Sequence, residues 1–239
     1  MNPAADAPRL TIVIPAMNEE EGIGEVIDEI PRKELAEMGW TCEVVVVDGE
    51  SVDRTRDIAV EKGARVIIEP RKGYGRAYKT GFEAARGEVI ATGDADTTYP
   101  FDKLPEMLRL FEREGLDFLT TNRFGKLQPG AMSAKHKFGN WVLSGAGRLL
   151  FLVKVKDSQS GMWILKRSIV PRLKLTSDGM PLSEEIKIEA FTKSDLRCKE
   201  IPIEYRVRVG DVKLSSWKDG WKNLSFLFKK RLGLAEPES

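Results

Sequence analysis

The chain has 239 residues, enough for one globular domain with a sizeable core, and its 38 basic and 37 acidic residues leave a net charge of +1. So balanced a sum supplies no global field to recruit nucleic acid, and two cysteines, Cys42 and Cys198, far apart in sequence, argue against a disulfide framework and for a reducing compartment. No apolar run reaches the length of a bilayer span, and residues 1–8 lack the basic and apolar regions of a signal peptide.

Leu10–Ile14 is a β-branched run closed by Pro15, and it predicts a first strand whose exit carries Asn18, Glu19, Glu20 and Glu21. Cys42–Asp48 is a nearly continuous valine strand. After it, Ser51, Asp53 and Thr55 offer N-caps for a helix running through Ile58 and Ala59 to Gly63. Ala64–Glu69 predicts a third short strand, and Arg71–Ala77 a glycine-bearing turn into a helix with Tyr78, Phe82 and Ala85. Glu88–Thr92 is the fourth strand, and Gly93-Asp94-Ala95-Asp96 leaves its end. Residues i and i+2 of extended backbone share a side, so Asp94 and Asp96 face one volume. Two hard oxygen donors there suit a divalent cation that takes its other ligands from water and phosphate. Taken alone, the pair is equally an ordinary polar turn. Strands without alternation, separated by helices, indicate a mostly parallel α/β sheet covered on both faces. Ligands of such sheets bind beyond the carboxyl ends of the strands, where Asn18, Glu19, Asp48, Asp94 and Asp96 all fall.

Four motifs, Ile14-Pro15-Ala16-Met17-Asn18-Glu19, Val47–Asp53, Gly73-Tyr74-Gly75-Arg76-Ala77 and Gly93–Asp96, resemble in order and spacing the family-2 glycosyltransferases with a GT-A fold. More narrowly the chain resembles the dolichyl-phosphate mannose or glucose synthases, over Leu10 to Leu214. The resemblance implies a Rossmann-like, mostly parallel sheet flanked by helices over residues 1–214, followed by a basic amphipathic segment over 215–239. It places Pro15, Asn18 and Glu19 in the nucleotide pocket, Asp48 on base or ribose, and Lys72 or Arg76 near the diphosphate. Asp94 and Ala95 would meet ribose or sugar, and Asp96, with Asp94, would bind Mg2+ or Mn2+ bridging the diphosphate. Thr97 and Thr98 stand where the synthases carry Leu-Gln, so a weaker hydroxyl ligand and a water are expected there.

For the acceptor half the resemblance gives Arg123 a place near phosphate. It sets Lys135-His136-Lys137, with the only histidine of the chain, where the synthases have a cluster that binds acceptor phosphate. Asp157–Trp163 follows their D-x-x-S/T-G-x-R element with Trp163 for arginine, which exchanges a charge for a stacking face. Glu185, with Glu184 as the alternative, matches a carboxylate that serves as base or holds sugar hydroxyls. Arg206, Arg208 and Lys213 would clamp diphosphate or acceptor phosphate by charge-assisted bonds. Trp217–Leu234, and also Phe138–Val155, interleave aromatics with cations as interfacial helices do; packing on the domain's own core is the competing reading.

The resulting expectation is an inverting, metal-dependent transfer of a sugar from a nucleotide-diphosphate donor, of the GDP-mannose or UDP-glucose/UDP-GlcNAc type, to a polyprenyl phosphate. The protein would sit peripherally on the cytoplasmic face of a membrane, with a separate anchoring partner possible. A soluble acceptor such as phosphoglycerate or a glycan hydroxyl is the first alternative, and a nucleotide-sugar-binding protein or nucleotidyltransferase the second. The turn Ala16–Glu19 has neither the glycines nor the cation that a nucleotidyltransferase needs after its first strand.

Overall fold

The computed structural model describes residues 7–210 and 216–236, the last of these by backbone only over 216–219. Four parallel strands come first: β1 (Leu10–Ala16), β2 (Cys42–Asp48), β3 (Arg65–Ile68) and β4 (Val89–Thr92). β5 (Phe118–Leu127), β6 (Trp163–Lys166) and β7 (Cys198–Tyr205) complete one seven-stranded sheet in the order β3-β2-β1-β4-β6-β5-β7. β6 runs antiparallel between β4 and β5, and β7 lies parallel to β5 at the edge.

The absence of alternation in the strands is explained by two cores, one on each face. Ile12, Ile14, Val44 and Val46 join one with the helices α1 (Ile23–Asp28), α2 (Arg32–Glu37) and α5 (Leu104–Arg113). Val13, Val45 and Val47 join the other, beneath α4 (Tyr74–Ala84) and α7 (Leu182–Phe191). Alternate residues of one strand therefore serve opposite layers, and each fully buried Val or Ile is worth about 1.5–3 kcal/mol. α5 turns Leu104, Met107, Leu108 and Phe111 inward, the 3.6-residue spacing of an amphipathic helix. α3 (Thr55–Glu61) covers the β2–β3 crossover.

α6 (Ala134–Phe151) and α8 (Ser216–Arg231) pack on each other beside the strand ends. Among the described residues no helix is long and apolar enough to cross a membrane. Cys42 and Cys198 are free thiols. Lys213 and the expected boundary at 214/215 lie outside the described residues.

Candidate active site

The loops leaving β1 and β2 are stitched together before any ligand arrives. Asn18 N–H donates to Ser51 Oγ at 2.9 Å, and Asn18 Oδ1 accepts from Val52 N–H at 2.9 Å. Glu19 N–H donates to Thr55 Oγ1 at 2.8 Å. Asn18 holds a left-handed φ of 52°, a conformation its side chain tolerates. It therefore shapes the loop, with its carbonyl oxygen already spent. Pro15 is half-buried opposite Val47 in the β1–β2 register. Asp48 is fully buried; Oδ2 accepts from Ser51 N–H at 3.0 Å, whereas Oδ1 has no partner among the described residues. That orphaned acceptor fits the hydroxyl or amine of a nucleoside.

Asp94 and Asp96 have different surroundings, and of the two Asp96 lines the cleft. The Tyr74 and Tyr78 hydroxyls donate to Asp94 Oδ1 at 3.3 and 3.2 Å. Burial, then the neighbouring Asp96 charge, push the Asp94 carboxyl up to about 7. Asp96 Oδ1 accepts from Thr98 N–H at 3.2 Å and Thr98 Oγ1 at 2.6 Å, while Oδ2 accepts from Arg208 Nη1 at 2.8 Å. Thr98 therefore orients the carboxylate, and the expectation of a hydroxyl ligand gives way to this bond. Ala95 is buried, its carbonyl so close under Gly22 that a Cβ there would lie 2.6 Å from it.

Among the described residues no three His, Cys, Asp or Glu side chains gather as a metal cage. Two carboxylates of one turn are a donor set that fits Mg2+ or Mn2+ carried in with phosphate and water. Asp94 and Asp96 are the residues that would hold it.

Several other expected contacts lie elsewhere. Arg123 is buried and forms a bidentate pair with Asp157, Nε to Oδ2 at 2.8 Å and Nη2 to Oδ1 at 2.9 Å. Its remaining surface lines the cleft and lies over the Tyr205 ring. Trp163 is no stacking platform: it is fully buried against Tyr78 and donates to Ser160 O at 2.7 Å. Arg76 points to Glu69, Thr80 and Glu83, and the glycines around Tyr74 approach the chain's own 177–179 backbone. Arg206 pairs with Glu29 and Asp102, away from the D-x-D turn's carboxylates. Glu185 spends its oxygens on Thr176, Ser177 and Lys230. Glu184, one residue earlier, is fully buried behind Gln159 of the cleft wall: Oε2 accepts from Gln159 Nε2 at 2.9 Å, Oε1 has no partner among the described residues, and burial holds the carboxyl well above its ordinary range.

A cavity of about 420 Å³ joins these groups to the two outer helices. Asp96, Arg123, Lys135 and Arg208 give it charge, His136 gives it an imidazole, and Met132, Phe138, Leu143, Met180, Trp221 and Leu224 give it apolar wall. A larger hollow, about 1050 Å³, opens at the opposite ends of the strands among Arg9, Glu88 and Lys166, remote from the carboxylates. Size does not mark the site.

The model of glycosyl transferase family 2 matches residues 11–173, which include every strand from β1 to β6 and the D-x-D turn. The chain belongs to glycosyl transferase family 2. This family-2 chain is 40% identical over 223 residues to the low-salt glycan biosynthesis hexosyltransferase Agl6 of Haloferax volcanii, covering 92% of the chain but only 53%, about half, of that relative. It is 34% identical over 213 residues to the dolichyl-phosphate hexose transferase of the same organism, covering 88% of the chain and 89% of the relative. In structure it is similar to Mycobacterium tuberculosis glucosyl-3-phosphoglycerate synthase in complex with Mn2+, UDP and glucosyl-3-phosphoglycerate, with TM-score 0.69, 22% identity, and coverage of 98% of this chain and 82% of the other. The same synthase with Mg2+ and UDP gives TM-score 0.71 at 22% identity, with 98% and 82% covered. These likenesses bear out the GT-A type of fold.

The candidate site of this family-2 chain is also supported by residues to which the sequence assigned no role. Tyr99 OH accepts from Gly161 N–H at 2.6 Å, and Lys187 Nζ donates to Asp157 O and Ser160 O at 2.9 and 2.7 Å, fixing the 157–161 loop. Burial brings that ammonium down to about 7. Gln159 Oε1 accepts from Asn223 Nδ2 at 2.9 Å, tying α8 to the cleft. The i, i+4 spacing of Tyr74 and Tyr78 was a usable signal; a buried lysine in an apolar helix was another.

Proposed function

We propose that this family-2 glycosyltransferase moves a hexosyl group from a nucleotide-diphosphate sugar to a polyprenyl phosphate, with inversion and with a divalent cation. One observation carries the reading: a single cavity between α6 and α8 combines Asp96, Arg208 and His136 with a predominantly apolar wall. A phosphate head requires the first set, and a prenyl chain requires the second.

Asp48, with the β1 and β2 exit loops, binds the nucleoside. Asp94 and Asp96 hold the cation, which supplies Lewis acidity to the departing diphosphate. Arg208 faces the phosphates of the donor, and His136 the acceptor phosphate. Its oxygen is already ionised and needs no base; it attacks the anomeric carbon opposite the diphosphate. One carbon–oxygen bond forms as the other breaks, and the electron pair leaves with the diphosphate. Glu184, through Gln159, holds the wall of the cleft. Exposed Phe138, Trp141, Trp221 and Phe228 support peripheral seating on the cytoplasmic face of a membrane, where a separate anchoring protein is compatible.

Release of nucleotide diphosphate from GDP-mannose, UDP-glucose and UDP-GlcNAc tests this, with polyprenyl phosphate or phosphoglycerate as acceptor. Lipid-dependent release that falls roughly a hundredfold or more in Asp96→Asn is expected. Turnover with phosphoglycerate alone would transfer the reading to a soluble acceptor, for which the cationic lining is also suited. Full activity in chelator would remove the cation.

A further inference from the structure

Both carboxylate oxygens of Asp96 are engaged, and the second is held by a cation that belongs to the protein itself. After β7 the chain turns back over the D-x-D turn: Arg206 N–H donates to Thr98 O and Val209 N–H to Asp96 O, each at 3.1 Å. Between these two bonds Arg208 reaches inward. Nη1 donates to Asp96 Oδ2 at 2.8 Å and Nη2 to Glu19 Oε1 at 2.6 Å, while Nε has no partner among the described residues. One guanidinium thus bridges the exits of β1 and β4 and sits on the oxygen that a divalent ion needs.

We propose that Arg208 is the resident counter-ion of the metal site, and that an arriving divalent cation must displace it from Asp96. The inference rests on the reading of Asp96 as a metal ligand. A guanidinium and a divalent cation repel each other and compete for the same Oδ2 lone pairs. While the site holds no metal, Arg208 neutralises Asp96 and Glu19, whose charges would otherwise repel across the cleft. Once displaced, it is a planar donor fork on a short tether beside the phosphates that accompany the cation, and bidentate phosphate contact is the chemistry to which that fork is suited. The strap can stay in place during the exchange, because its two backbone bonds do not involve the guanidinium. Loading of the cation and delivery of the arginine are then one event.

Mn2+ binding without nucleotide reads this directly, as free Mn2+ by electron paramagnetic resonance. Arg208→Gln is expected to bind Mn2+ about tenfold more tightly than wild type, the equivalent of losing charge-assisted bonds that oppose binding. Arg206→Gln removes the same charge from the same strap but pairs with Glu29 and Asp102, and is expected to change affinity far less. In wild type, Mn2+ alone should raise phenylglyoxal labelling of Arg208 and leave Arg206 unchanged, a readout that does not depend on a variant folding. Equal or weaker Mn2+ binding by Arg208→Gln, an equal gain in Arg206→Gln, or Mn2+-indifferent labelling of Arg208 would each overturn the competition while leaving the metal site standing. Undiminished Mn2+ binding in Asp96→Asn would instead overturn the metal reading, and the inference with it.

Discussion

Arg123 and Asp157 form a buried pair whose value is mostly in not being broken. Burial pushes the Asp157 carboxyl up, but the Arg123 charge and hydrogen bonds outweigh it and hold that carboxyl below its ordinary range. Removing one partner strands the other without water, so Asp157→Ala should cost about 3–5 kcal/mol in urea unfolding. The sign of the pH effect follows from the depressed folded value. The pair's contribution is fully present above the unfolded carboxylate value, about 3.9, and is lost as pH falls from there through the lower folded value. Wild-type stability should therefore drop below about pH 4 more steeply than that of Asp157→Asn. Parallel acid profiles for the two proteins would show that the pair does not titrate with unfolding.

Among the elements, α8 is attached through polar groups as well as through the fully buried Leu227. Asn223 reaches Gln159, which in turn donates to Glu184, and Lys230 bridges Glu185 and Glu189 at 3.0 and 2.8 Å. Lys230→Gln leaves two carboxylates facing each other at the helix base. Faster hydrogen exchange throughout α8 is expected, with a raised KM for the proposed polyprenyl phosphate acceptor and unaltered hydrolysis of the donor. Unchanged exchange would place the docking of α8 in its apolar contacts alone. This attachment was not legible in the sequence, whereas the β-branched runs of β1 and β2 and the carboxylates beyond the end of β4 were. Burial on both faces writes itself into consecutive residues, and a strand exit is a local event. The choice between Glu184 and Glu185 is not local: adjacent helix positions point about 100° apart, and the rotation of α7 is set by what packs on it. The partners of Arg206 and the inward turn of Trp163 likewise come from elements distant in sequence.

On the scale of the molecule, α6 and α8 together leave aromatic side chains in water that a self-contained domain would bury. Phe138 and Trp141 are 66% and 62% exposed with rings stacked 6.1 Å apart, and Trp221 and Phe228 are 68% and 51% exposed. Lys137, Lys222 and Lys229 are exposed beside them. Salt-sensitive binding to anionic vesicles is expected, because attraction between exposed charges fades beyond about 8–10 Å at physiological ionic strength. Serine at Trp141, Trp221 and Phe228 should reduce sedimentation with vesicles and leave thermal stability within about 0.5 kcal/mol, as for surface changes generally. Unfolding of that variant, with wild type indifferent to vesicles at low salt, would mark the aromatics as packing.

β6 lies between β4 and β5 in the sheet but follows both in the chain. During synthesis, β4 keeps an unpaired edge while α5, β5 and α6 emerge, until residues 163–166 return antiparallel against it. Pairing across so long a separation is entropically slow. The exit loops of β1 and β2 are therefore complete in a nascent chain whose β4 is still open on one side, and that edge is the place where the young chain is most vulnerable to pairing with another.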